Sequence, residues 1–237
     1  ATTLAGADGS ASIGFGTTAG GLASLAVGAT TATVGAQSVA MGLNTTANGD
    51  FSLAMGSSSV TTSNGVGAVA MGDFATSNGA QAFSLGFSTN ANGDQSLALG
   101  SGTTTVGDQS AAVGFQTTAE GDQSLALGYQ SKAVADHSVA LGYQTTASGQ
   151  DSLAMGTSSS TTVNGVGAVA MGDSAVADNV QAFSLGANTL AAGSQSFAMG
   201  SNTKATADQA FALGSNTLAA GTAAVAMGSG SESNGDA

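Results

Sequence analysis

The side chains in this sequence that could do chemistry are few, and they fall in columns. Asp94, Asp108, Asp122 and Asp136 recur at intervals of 14 residues, a spacing that could line up carboxylate oxygens for a divalent cation or an acidic recognition stripe. No EF-hand loop or calcium-binding nonapeptide accompanies them. The plainer reading is an acidic turn ladder of solvated caps, whose mutual repulsion water and salt soften. His137 follows the last of these acids and is the only histidine. It shares a column with Gln95, Gln109, Gln123, Gln181, Gln195 and Gln209, so it reads as a polar turn residue rather than a metal ligand. Phe115, Tyr129 and Tyr143 are also 14 residues apart and each directly follows a glycine, as do Phe15 and Phe87. Exposed, the first three would form a strip of ligand contacts; covered, they would close a subunit joint or an end of the fold.

Other chemistries lack their residues. With no cysteine and one histidine there is no thiolate site and little scope for a hydrolytic triad. Gly-x-Gly-x-x-Ala occurs at Gly14–Ala19 and Gly65–Ala70, but among 37 glycines and with no helix to receive a pyrophosphate this is chance. We expect no enzyme, no cofactor and no metal. Two basic residues against fourteen acids give a net charge of −12, which argues against nucleic acid as a partner. No run of about 18 apolar residues exists to span a bilayer, so no membrane contact is expected within this segment. The start shows no basic region followed by an apolar core, and freedom from cysteine suits an exported protein.

What must position these columns is a repeat. Ser124-Leu125-Ala126-Leu127-Gly128 is one copy of a pentapeptide whose closing glycine recurs sixteen times from Gly14 to Gly228, every 14 residues except for two 16-residue coils, 57–72 and 157–172. Those exceptions lie 100 residues apart, and Ser52–Gly86 overlays Ser152–Gly186 with few changes, so a seven-coil block has been duplicated. Fixed-period self-similarity means one small unit stacked many times. A composition of 42% apolar residues in strict spacing, with only 7% charged, favours an ordered core over a Gly/Ser linker. The repeat implies a lead-in segment or partial coil at 1–9, a single body at 10–228 and an exit segment at 229–237.

Alternation of large and small residues within the pentapeptide predicts a strand, and its lack of charge predicts cover on both faces. Three residues after the marker glycine comes a hydroxyl in most coils, such as Thr117, Ser131 and Thr145, and five after it an alanine, such as Ala119 and Ala147. These share the inner face of a second short strand, while Gln116, Gln130, Gln144, Thr118 and Lys132 face water. Asn48-Gly49 and Asn92-Gly93 mark the turn into the next coil, where glycine tolerates positive φ. In the longer coils two extra residues ahead of Asn64-Gly65 and Asn164-Gly165 preserve strand parity. The expected architecture is all-β, a parallel β-roll. Leu125 and Leu127 are expected to fill it, and Ser124, Ala126 and Gly128 to form a small-residue face against further copies of the chain.

Ser38-Val39-Ala40-Met41-Gly42 and Ser138-Val139-Ala140-Leu141-Gly142 resemble the head repeat of YadA-like trimeric autotransporter adhesins, and the likeness runs over nearly the whole chain. The resemblance implies a left-handed β-roll, a homotrimer, and a place on the bacterial cell surface as the extracellular passenger region of an outer-membrane protein. The family's neck, heptads and C-terminal anchor are not found, which points to a head segment or to a secreted or phage-borne relative. Its function would be non-enzymatic adhesion through repeated weak contacts with an extracellular protein, glycan or abiotic surface. The alternatives are a structural spacer and an ice-binding solenoid. For ice binding, the outward rank of Thr18, Thr46, Thr104, Thr118 and Thr146 is single, and it is broken by Ala32 and Lys132.

Overall fold

The structure, a computed structural model, describes residues 3–235, in two compact units that meet in sequence at Thr117 and Thr118. Every regular element among the described residues is a β-strand. The chain is an all-β parallel solenoid of coils about 14 residues apart, eight five-residue strands falling in each unit. Each coil supplies one five-residue strand, such as Leu125–Tyr129 or Val139–Tyr143, and one two-residue strand, such as Lys132–Ala133 or Thr146–Ala147. Equivalent strands of successive coils pair in parallel, Leu125 with Val139 through Tyr129 with Tyr143, and Lys132 with Thr146. Leu4–Ala5 pairs with Thr18–Ala19, and Glu232–Ser233 with Leu218–Ala219, so the short-strand sheets extend beyond the first and last marker glycines.

The longer coils absorb their two extra residues without disturbing this register. Leu53 pairs with Val69, and Val60 with Thr76, leaving Ser63-Asn64 to protrude in an added turn closed by the Gly65 N–H donating to Thr62 O at 3.0 Å. The second copy closes the same way, Gly165 N–H to Thr162 O at 2.9 Å. Because the insertion is even, every later side chain keeps its face.

Each coil turns through two left-handed residues, most of them not glycine. Gln130 and Gln144 hold φ of 53° and 54° at one corner, and Gln123 and His137 hold 55° and 56° at the other. A side chain in this region is strained. The strain persists where the amide also bonds to the coil before it, Gln144 N–H to Tyr129 O at 2.8 Å and His137 N–H to Asp122 O at 2.9 Å. The expectation that Gly49 and Gly93 serve positive φ is therefore corrected. The left-handed residues are Phe51 and Gln95, two places later. Gly49 and Gly93 are needed for clearance, since a Cβ would lie 2.1 Å from Gly65 O and 2.0 Å from Gly107 O respectively.

The interior reverses the expected packing of the pentapeptide. Ala126 is fully buried and Ser124 is 2% exposed, whereas Leu125 and Leu127 are only half-buried on the outside of the same strand. Ser124 and Ala126 fill the coil and the large residues face out, so Ser124 and Ala126 do not form an outer face for a second chain, and of the three only Gly128 is exposed. The physical reason is the width of a 14-residue coil. Its two sheets lie so close that Ser84 Oγ reaches Thr89 Oγ1 at 2.7 Å and Ser184 reaches Thr189 at 2.7 Å. The largest fully buried side chains are threonines, and no leucine would fit. The second strand obeys its expectation, with Thr117, Ser131, Thr145, Ala119 and Ala147 all buried. Serine also closes the turn beneath it, Ser124 Oγ–H donating to Gly121 O at 2.6 Å.

Candidate functional site

Because alternate residues of the five-residue strand point out, each coil presents three outward positions, as at Leu125, Leu127 and Tyr129; the first two are apolar throughout each unit, and the third is mixed, with Tyr129 and Tyr143 giving way to Thr157, Asp173 and Ser201. The first and second of these positions hold no charge in any coil: Val39 and Met41, Leu97 and Leu99, Val139 and Leu141, Val169 and Met171. Parallel register stacks like on like. Phe183, Phe197 and Phe211 form a ladder with ring centroids 5.0 Å apart and planes within 2° and 6°, a spacing equal to the strand separation. Half-exposed residues in such a row form a contiguous apolar surface rather than scattered singles. The alternation in the sequence showed which residues share a face; it did not show which face is inside.

The aromatic column is the outer edge of this face. Tyr129 and Tyr143 are 40% and 47% exposed and stack with centroids 5.0 Å apart and planes 6° from parallel. Phe115, in the other unit, is 41% exposed. Beside the tyrosines the corner amides join, Gln144 Nε2 donating to Gln130 Oε1 at 3.0 Å. Stacking turns ring edges and phenolic hydroxyls outward, so Tyr129 and Tyr143 offer a narrow polar-rimmed apolar strip.

The four aspartates occupy the opposite corner. Asp94 Oδ1 accepts the Ala80 N–H at 2.7 Å, Asp108 Oδ1 the Asp94 N–H at 2.8 Å, and Asp136 Oδ1 the Asp122 N–H at 2.9 Å. Asp50 and Asp208 do the same for Ala36 and Ser194. Each of these five carboxylates thus satisfies a turn amide of the preceding coil, a structural cap with one oxygen committed. Among the described residues no three acidic or histidine side chains converge on a cation-sized space. His137 Nδ1 lies 2.9 Å from Asp151 Oδ1, with both side chains about half exposed, a surface pair of small energetic weight. The outward positions of the short strands, Thr118, Lys132 and Thr146, form a single mixed column, and Lys132 Nζ pairs with Glu120 Oε1 at 2.8 Å.

Against known proteins, the family model described as the YadA head domain repeat (2 copies) matches residues 34–59, 63–89, 78–103, 91–117, 106–131, 119–145, 133–159, 164–189 and 191–217. No curated protein matches the chain.

Proposed function

Since the chain belongs to the family of YadA head domain repeats, an adhesin-type domain family, we propose that it is the non-enzymatic head of a bacterial surface adhesin. In this reading it assembles as a homotrimer and meets its ligand through many weak, repeated contacts. One observation carries the proposal: the two inner columns on the outward face of the five-residue strands are apolar and uncharged along every coil. Water contact with such a face is costly at ~25 cal/mol per Å², and copies of the same chain cover it most simply, since each presents the same face. The resemblance to YadA-like heads supplies the number three. Assembly through this face leaves the corner columns and the short strands, with Gln144, Lys132, Thr146 and the aspartate caps, turned toward solvent and a partner.

Light scattering on the purified chain tests the assembly, with three times the 22.2 kDa chain mass expected and a stable monomer sinking it. Adhesion of beads coated with the chain to matrix proteins, cells and plastic tests the function. Loss of binding on replacing exposed corner residues, with melting and mass unchanged, is expected of an adhesive head. A spacer is the second reading, favoured by the duplicated 100-residue block whose long coils keep register. Unchanged adhesion after deletion of that block would favour it.

A further inference from the structure

Among the described residues, a further surface has the make-up of a binding site, in the second unit, at the corner between the long and short strands. Asn188, Asn202 and Asn216 occupy one column on three successive coils, each left-handed at φ 53°, 51° and 52°, with side chains reaching outward. With Lys204, Thr217 and Leu218 they line a groove of about 560 Å³. Elsewhere in the unit this column holds the longer Gln130 and Gln144, which bond along the stack, and Ser158, Ser174 and Gly230, which carry no side-chain amide. The three asparagines, shorter than those glutamines, line a concavity; Asn202 Nδ2 donates to Asn216 Oδ1 at 3.3 Å, and Asn216 Nδ2 to Ser215 Oγ at 3.3 Å. All three asparagines are exposed at the groove, and their amides keep donor and acceptor capacity beyond these two bonds.

Lys204 is what distinguishes this groove from the rest of the surface. The chain's other cation, Lys132, sits at the same place in its coil and is neutralised by Glu120, twelve residues earlier. Twelve residues before Lys204 is Ala192, and among the described residues Lys204 has no ion-pair partner. Its strand neighbours are Leu190 and Leu218, and Leu218 separates it from Glu232, two coils along in the same column. Asp208 is occupied with the Ser194 N–H. An ammonium between two leucines, beside a row of amides, matches a pyranose that bears a carboxylate. The ammonium pairs with the acid, the amides bond to ring hydroxyls, and leucine covers a C–H face.

We propose that this groove binds the carboxylated sugar residues of an acidic glycan. The net charge of −12 opposes non-specific binding of polyanions, so recognition rests on this local constellation and weakens with salt. The site is complete within one chain and is repeated in any assembly, so its test does not depend on the oligomer.

Saturation-transfer NMR on the full chain, with glucuronate and N-acetylneuraminate as probes and glucose and acetate as controls, tests it. At least one acidic sugar is expected to give a saturable signal at millimolar concentration, tenfold or more tighter than glucose or acetate, and the tighter of the two identifies the source. Lys204→Gln is expected to weaken it at least tenfold. Ala192→Glu keeps the lysine but supplies the partner that Lys132 has, and is expected to do the same. Gln37→Glu, which adds equal charge in the other unit, should change nothing. All three variants are expected to melt as the parent does. No saturable signal from either acid, glucose binding as well as the acids, or full binding by Lys204→Gln or Ala192→Glu would overturn the proposal. The light-scattering mass reports separately on the assembled head.

Discussion

Ser84 and Thr89 face each other across the inside of one coil, their hydroxyl oxygens 2.7 Å apart, while Thr45, in the equivalent place opposite Ala40, has a buried hydroxyl with no partner. An unpaired buried hydroxyl costs about 1–3 kcal/mol, and an isosteric methyl removes that cost. Thr45→Val is therefore expected to raise stability by about 1 kcal/mol. Thr89→Val, which strands the Ser84 hydroxyl, is expected to lower it by a similar amount. Denaturant melts of the two variants check the sign; equal effects would mean that the cross-sheet bond contributes nothing.

Gly128 is required twice over. Its φ is +119°, and a Cβ would sit 2.0 Å from Gly142 O, a backbone atom that cannot move without opening the sheet. Gly128→Ala is expected to cost about 3 kcal/mol or more. Gly16, at φ +62° with open space around its Cβ position, bears only the conformational cost, so Gly16→Asn should fall within about 1 kcal/mol of the parent. Melting midpoints of the pair separate clearance from conformation.

The period, the parallel stacking, the duplicated block and the inner Thr and Ala columns were all legible in the sequence, because each follows from residue spacing. Which face of Leu125–Tyr129 lies inside was not legible. Alternation assigns Leu125 and Leu127 to one side and Ala126 to the other, but the choice of side depends on the distance between the two sheets. That distance follows from corners such as Gln130 and His137 that turn the chain sharply, and a left-handed glutamine carries no sequence signal of its own. The groove at Lys204 was legible only by comparing its coil with that of Lys132, since the informative residue is the absent acid at Ala192. The aspartate column was visible as a ladder, and its capping role needed the coordinates of the Asp122 amide.

That role makes a prediction about calcium. Asp136 uses one oxygen on the Asp122 N–H, and asparagine keeps an acceptor there while removing charge. Asp136→Asn is expected to leave the melting temperature unchanged, and Asp136→Ala to lower stability by about 0.5 kcal/mol. Millimolar calcium should shift neither the parent nor the variants. A calcium-dependent rise in the parent that Asp136→Asn abolishes would restore the cation-binding reading of Asp94, Asp108, Asp122 and Asp136.

The sharpest test sets two adjacent residues against each other. Ala126 has no exposed surface and pairs with the buried Ala140 on the next strand, so Ala126→Leu must force the two sheets of its coil apart. Overpacking of this kind costs about 1–3 kcal/mol at a site that can relax, and more where backbone must move. The melting temperature should fall whether or not the chain is assembled. Leu127 points outward and is half-buried, so Leu127→Ser should leave the fold of a single chain nearly unchanged, while it puts a polar group into the apolar face through which we propose that copies assemble. Its expected signature is a loss of mass in light scattering at protein concentrations where the parent holds together, with a strand-rich circular dichroism spectrum retained. If instead Ala126→Leu kept the parent's melting temperature and lost mass, while Leu127→Ser unfolded, the small residues would be the contact surface after all, and the apolar columns the core.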